Sequence, residues 1–296
     1  MTAKLSLGPV LFNWDAEVKR DFYFHIADEA PFDTVYLGEV VCSKRTPFFE
    51  PFLPEVIERL QRGGKEVVLS TLALIMSERE LDSVRALAGN GGLTIEANDM
   101  AAVSLLAGRD HVIGPFVNVY NEGSLEFLEN QGARRVSLPW ELPSRSLSAL
   151  ASFATRELEV QAFGRAPLAI SARCYHARSH GLHKDGCQFV CIQDPNGMEV
   201  QTLDGKSFLS VNGPQTLSHS VLNLISELEE LQAMGIDAFR LWPHMIDMAK
   251  VAEVFRDVLD GTETADEGQR RLDRLVDFAP FSNGFYYGQE GAALVS

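Results

Sequence analysis

EVVLSTLALIMSERELDSVRALAGNGGLTIEANDMAAVSLLAG, residues 66–108, decides the fold. EVVLSTLAL (66–74) is a run of β-branched and large apolar residues, as in a strand covered on both faces. SERELDSVRALAG (77–89) then takes helical spacing, with Ser77 and Glu80 in a capping-box pattern and Gly89 as a stop. LTIEA (93–97) is a second strand, and NDMAAVSLLAG (98–108) a second helix with Asn98 as N-cap and Gly108 as its end. Strand, helix, strand, helix implies parallel neighbours, because each helix carries the chain back to the same end of the sheet.

The alternation extends both ways. Upstream, KLSLGPVLF (4–12) is a strand and DAEVKRDFYFHIADEA (15–30) a helix with Asp15 near its start. TVYLGE (34–39) is the next strand, followed by a loop holding Cys42 and then FFEPFLPEVIERLQRGG (48–64). Downstream come VIGPFVNVY (112–120) with NEGSLEFLENQG, and RVSLPWEL (135–142) with SRSLSALASFAT. LEVQAF and PLAIS (158–171) form a seventh strand, expected to break at Gly164–Arg165. SVLNLISELEELQAMG (220–235) reads as a helix before the eighth strand, AFRLWPH (238–244), and IDMAKVAEVFRDVLDG (246–261) as a helix after it.

Eight such units predict an α/β fold, a (β/α)8 TIM-like barrel, in one domain over 1–296. An open doubly wound sheet is the competitor, but no glycine-rich phosphate turn follows the first strand. Between the seventh and eighth strands the pattern fails. From about 172 to 218 an irregular, cysteine-bearing insertion is expected, without a helix and with a hairpin turning at Asp204–Gly205. Asn196–Gly197 marks another tight turn. Beyond about 262 the tail is polar, then aromatic (FAPFSNGFYYGQ).

Composition narrows the function. Hydrophobic residues make up 46% of 296, enough for a core that folds without a metal. A net charge of −15 disfavours broad nucleic-acid binding and anionic membrane surfaces. No stretch of about 18 apolar residues is present, so no membrane insertion is expected. The first twenty residues lack an apolar core with a small-residue cleavage site, and a cytoplasmic location is expected. In that compartment clustered cysteines are more often metal ligands or redox groups than disulfides.

Three of the four cysteines lie in CYHARSHGLHKDGCQFVC (174–191), and the fourth is Cys42. Barrel loops that follow strands open on one rim, so Cys42, Cys174, Cys187 and Cys191 can meet there. Four thiolates suit tetrahedral zinc or a 4Fe–4S cluster. Structural zinc favours tight cysteine pairs, whereas only Cys187 and Cys191 are close here, so the spacing suits the larger cluster better. Four unrelated core thiols are the plain alternative. It fits Cys187 and Cys191 badly, beside Lys184, Asp185 and Gly186.

SLGPVLFNW, YLGEVVCSKR, VVLSTLAL, IEANDM, LAISARCYHARS, GCQFVC and NGPQTLS resemble the UbiV family of ubiquinone-biosynthesis proteins, within the collagenase-like peptidase superfamily. The resemblance runs from about residue 5 to about 245. It implies a barrel-like core and a 4Fe–4S cluster on Cys42, Cys174, Cys187 and Cys191. It further implies a UbiU-like partner in a heterodimer, an accessory lipid-binding protein, and O2-independent hydroxylation of a ubiquinone precursor; four protein ligands would close every iron, so the cluster would transfer electrons or hold structure. Despite the superfamily's name proteolysis is not implied, and relatives act on RNA as hydroxylation factors; the alternatives for this chain are a zinc-stabilised peptidase or hydrolase of the same superfamily, or an RNA-hydroxylation factor. No nucleophile-elbow motif supports hydrolysis.

Further candidates stand at strand ends. Glu39, Glu96, Glu141 and Asn118 could bind a hydroxylated substrate or relay protons, or the carboxylates could cap the next helices. Capping is expected for Glu96, while Glu39 is the better site candidate because it neighbours Cys42. His176, His180 and His183 could ligate metal or donate to sulfur, or be solvated loop residues. Arg173, Arg178 and Lys184 could offset a cluster's charge, or form an exposed face.

Overall fold

The structure, a computed structural model, describes residues 3–89 and 91–295. Eight parallel strands close into a barrel: β1 (Lys4–Leu7), β2 (Thr34–Leu37), β3 (Glu66–Ser70), β4 (Thr94–Ala97), β5 (His111–Ile113), β6 (Ala133–Ser137), β7 (Glu157–Ile170) and β11 (Ala238–Leu241). β11 closes the ring, pairing in parallel with β1 through Lys4↔Ala238 and with β7 through Ala238↔Glu159. Outside lie α1 (Ala16–Glu29), α2 (Thr46–Phe49), α3 (Leu53–Arg62), α4 (Glu78–Ala88), α5 (Met100–Leu106), α6 (Glu122–Asn130), α7 (Ser144–Phe153), α9 (Leu228–Ala233) and α10 (Met248–Leu259). The expected barrel is therefore present, with strands shorter than the apolar runs suggested. The chain leaves the sheet early at Gly8, Gly38 and Gly114.

The main core lies between sheet and helices, where outward residues such as Leu5, Val35, Leu69, Ile113 and Val160 are buried against the helices. The barrel interior is different. Ser6, Tyr36, Glu96, Ser137, Glu159 and Arg240 make one buried polar network there, beside the small apolar set Tyr36, Val68 and Val112. Arg240 donates from Nη1 to Glu96 Oε1 at 2.7 Å and from Nε to Glu159 Oε2 at 2.8 Å, over the Tyr36 ring at 3.8 Å. Ser6, Ser137 and Tyr36 hydroxyls also donate to Glu159. Burial alone would raise the Glu159 pKa, but Arg240 and Arg135 hold it below the ordinary carboxylate range. One turn higher, Trp242 plugs the barrel. A Cβ on Gly8 would stand 2.8 Å from its ring, so only glycine admits it there.

Several local expectations change. Ser77 caps α4 and Gly89 ends it, as the sequence indicates. The N-cap of α5 is Asp99, whose carboxylate accepts from Ala101 N, and not Asn98, whose amide donates to Glu96 and Thr71 inside the barrel. Glu96 is therefore a core ion-pair member and no helix cap. β7 does not break at Gly164. It runs on for 14 residues and leaves the barrel to pair antiparallel with β10 (Gln215–Asn223). Gly164 supplies the pivot, with φ +111 and Trp242 where a Cβ would lie. Residues 220–223 belong to β10, so the helix expected from 220 begins only with α9 at Leu228. The insertion holds the expected hairpin, β8 (Met198–Gln201) with β9 (Ser207–Asn212), but also one unexpected short helix, α8 (Tyr175–Ser179). The tail carries α11 (Ala265–Leu275), started by a capping box of Thr264 and Glu267, and a short strand β12 (Phe281–Ser282) on β10. Among the described residues no helix is long and apolar enough to cross a membrane.

Arg240→Met would strand two carboxylates in the interior. Unfolding in urea at pH 7 is expected to show a loss of about 3–5 kcal/mol, the cost of removing one partner of a buried pair. The sign with pH follows. In the parent the depressed Glu159 pKa gives stability that is complete above the unfolded carboxyl value and is lost as pH falls through the folded one. In the variant an unpaired buried carboxyl is better tolerated protonated. The difference between parent and variant is therefore expected to shrink from pH 7 to pH 5, and a gap that widens would refute the pairing.

Candidate metal centre

Cys42 lies five residues beyond the end of β2. Its loop is held by Glu39, whose Oε1 accepts from Val41 N at 3.0 Å and Cys42 N at 2.9 Å. Glu39 was the strand-end carboxylate expected to matter here, and its oxygen is spent on shaping the cysteine loop. Cys174 follows β7 and caps α8, its Sγ accepting from Ala177 N at 3.4 Å. Cys187 and Cys191 flank Gln188 and Phe189, both in left-handed backbone at φ 49 and φ 53. Two successive non-glycine residues there are strained, and Phe189 packs edge-on against Phe48 of α2, centroids 4.8 Å apart.

These segments are tied together. Lys44 Nζ donates to Lys184 O at 2.6 Å and Asp185 Oδ1 at 3.1 Å, joining the Cys42 loop to the Cys187 turn. Trp14 Nε1 donates to Pro195 O at 2.7 Å, fastening the loop after β1 to the insertion. The result is one pocket, with a cavity volume of about 10 Å³, lined by all four cysteines together with Arg45, Lys44, Lys184 and His176. All four thiols are free. Cys174 and Cys191 are buried, Cys42 and Cys187 half-buried. Burial pushes the Cys42 and Cys174 thiols up, so ligation there would have to displace protons. Among the described residues no three His, Cys, Asp or Glu side chains are grouped to hold a single metal ion.

Two residues at Cys191 escaped the sequence reading. Asn13 Nδ2 donates to its Sγ at 3.4 Å and Arg45 Nη2 at 3.5 Å. The basic pair in CSKR was the available signal. Arg173 and Arg178, the cations singled out instead, are exposed and not among the pocket-lining residues, whereas Lys184 does line it. His176 is fully buried and its Nε2 pairs with Asp194 Oδ2 at 2.8 Å, so it is not a solvated loop residue. Burial lowers its pKa against the raising effect of Asp194. His180 stacks on His176 and is exposed, as is His183. Glu141 accepts a hydrogen bond from Tyr120 and does not cap α7, which has no side-chain cap. Asn118 is exposed in left-handed backbone, closing the turn after β5.

Soft thiolates select zinc, copper(I) or iron–sulfur centres, and carboxylates are absent from the pocket lining. The residues present therefore fit a thiolate-held centre. Burial also ranks the thiols. Brief alkylation of metal-free, folded protein at pH 7 is expected to modify Cys187 first and Cys174 and Cys191 last, read by peptide mass spectrometry. Equal labelling of Cys191 and Cys187 would contradict that ranking.

The chain matches the model of peptidase family U32 over residues 20–296. Among solved structures it is similar to a U32 peptidase, with TM-score 0.44 and 13% identity over 82% of this chain and 93% of that one. It is also similar to the tryptophan synthase complex from Pyrococcus furiosus, at TM-score 0.42 and 9% identity over 92% and 98%. A GH138 enzyme targeting pectin rhamnogalacturonan II gives TM-score 0.44 and 8% identity over 93% and 40%.

Proposed function

We propose that this chain, which belongs to peptidase family U32, is an iron–sulfur protein that works in O2-independent hydroxylation of a ubiquinone precursor. The observation that carries the reading is the convergence of all four cysteines on one pocket, from a loop after β2 and an insertion after β7. Cys42, Cys174, Cys187 and Cys191 would hold a 4Fe–4S cluster, one thiolate to each iron. When bound, such a centre supplies one-electron transfer, and four protein ligands leave no iron open to substrate.

The rest of the pocket supports this reading. Lys44 and Lys184 bring positive charge to a place where four thiolates would otherwise repel one another. Glu39 and Lys44 fix the two outer loops through backbone groups, so the donor set is braced before any metal arrives. The assignment to ubiquinone hydroxylation rests on the sequence resemblance to the UbiV family. With it come a UbiU-like partner as heterodimer and an accessory lipid-binding protein. Hydrolysis, which the family name suggests, finds no nucleophile elbow in this sequence.

Full-length protein purified without oxygen is expected to carry about four irons and four sulfides per chain. Cys174→Ala and Cys191→Ala are each expected to lose most of that iron while keeping the circular dichroism of the barrel. Colourless protein holding one zinc would overturn the reading.

A further inference from the structure

Arg45 is nearly fully buried, with its side chain 4% exposed, and its one carboxylate partner, Glu39, makes only a long ion pair with it. Its nearest acid, Glu39, is 3.9 Å from Nη1, and the Glu39 oxygen concerned already accepts from two backbone N–H groups. Nη1 donates to Leu11 O at 2.8 Å, and Nη2 to Asn212 Oδ1 at 2.9 Å and Cys191 Sγ at 3.5 Å. Nε has no partner. A second buried cation, Lys19, feels the same Glu39 and lies over the Phe49 ring at 4.6 Å. Two buried cations thus share one carboxylate. Removing a guanidinium from water is costly unless an anion compensates it, and Arg45 Nη2 donates to the sulfur of Cys191.

The backbone is shaped around this guanidinium. Gly213 has φ +61, and a Cβ on it would stand 2.6 Å from Arg45 Nη2. The Asn212 amide is itself fixed, its Nδ2 donating to Leu11 O at 2.7 Å. Asn13, 8% exposed, adds a neutral donor to the same sulfur. Cys191 therefore receives one cationic and one neutral side-chain donor, whereas Cys174 receives a single backbone N–H.

We infer that Arg45 is a positioning residue, assisted by Asn13, which holds the Cys191 sulfur and raises the reduction potential of the centre bound there. This rests on the cluster reading above. Reduction adds negative charge to the centre, and a fixed cation with two donors at one sulfur favours the more negative state. Arg45 carries the larger share because it brings both charge and a hydrogen bond into a dry site.

The test uses the full chain, loaded without oxygen, with the midpoint potential read by redox titration and electron paramagnetic resonance of the reduced form. Arg45→Gln is expected to shift the potential downward with iron content unchanged. Asn13→Leu, of nearly the same shape, should shift it the same way by less, and Arg45→Lys should recover most of the parent value. Loaded Arg45→Gln and Asn13→Leu with unshifted potentials would overturn the inference. If Arg45→Gln is not recovered folded, Asn13→Leu decides, an unshifted potential again overturning it. A parent chain that never holds iron and sulfide overturns the cluster itself, which separates the two failures.

Discussion

The ion pairs of Arg240 hold the architecture in register. This residue stands on the strand that closes the ring, and its guanidinium reaches Glu159 on the neighbouring strand β7 and Glu96 across the barrel on β4. Hydrophobic burial would tolerate sliding one strand past another by two residues. A planar donor set between two carboxylates in a dry interior does not, because any slip leaves a charge unpaired. Trp242, two residues on, points the same way and seals the top of the interior against Gly8 and Gly164. The register of the closing strand thus fixes both the polar layer and the plug above it.

The plug explains why the candidate site lies beside the barrel mouth. Trp242 joins Leu11, Val40 and Val41 in a small apolar cap, with Cys42 packed against it. Chemistry that ordinarily collects at the mouth of such barrels is displaced outward, onto the ground between the loops after β1 and β2 and the insertion after β7. β7 makes this possible by outrunning its neighbours. Its first half is barrel wall, and its second half, past the Gly164 pivot, is scaffold for the hairpin that carries Asn212 and Gly213 to Arg45.

Much of this was legible in the sequence where local chemistry and global fold agree. The βαβα reading of 66–108 held because Ser77 and Gly89 cap a helix whose apolar face has only one place to go. Misreadings arose where tertiary context overrode local preference. Gly164 resembled a strand break because its left-handed φ is useful only when Trp242 sits against it. SVLN at 220–223 fits a helical period, yet pairing with β7 made it strand. Glu96 and Asn98 resembled helix-capping residues because nothing local reveals an arginine 144 positions away in sequence. The cysteines were legible by scarcity, there being four in the chain and three within one stretch. Arg45 was not, since an arginine beside a lysine reads as surface until its neighbours are known.

The acidity of the chain sharpens the argument about that arginine. A net charge of −15 spread over the surface would, at long range, oppose any further negative charge at the thiols. Surface charges are screened within a Debye length of about 8 Å at physiological salt, whereas a buried cation a few ångströms from sulfur acts through a medium far less polar than water. The local term therefore wins, and the site can be electropositive inside an acidic protein. Arg45 and Lys19 against the single carboxylate of Glu39 supply that excess. Were the four thiols unrelated core residues, a buried surplus of positive charge beside one of them would be a cost that the single carboxylate of Glu39 offsets only in part. An anionic thiolate-bound centre turns the same arrangement into a balanced one.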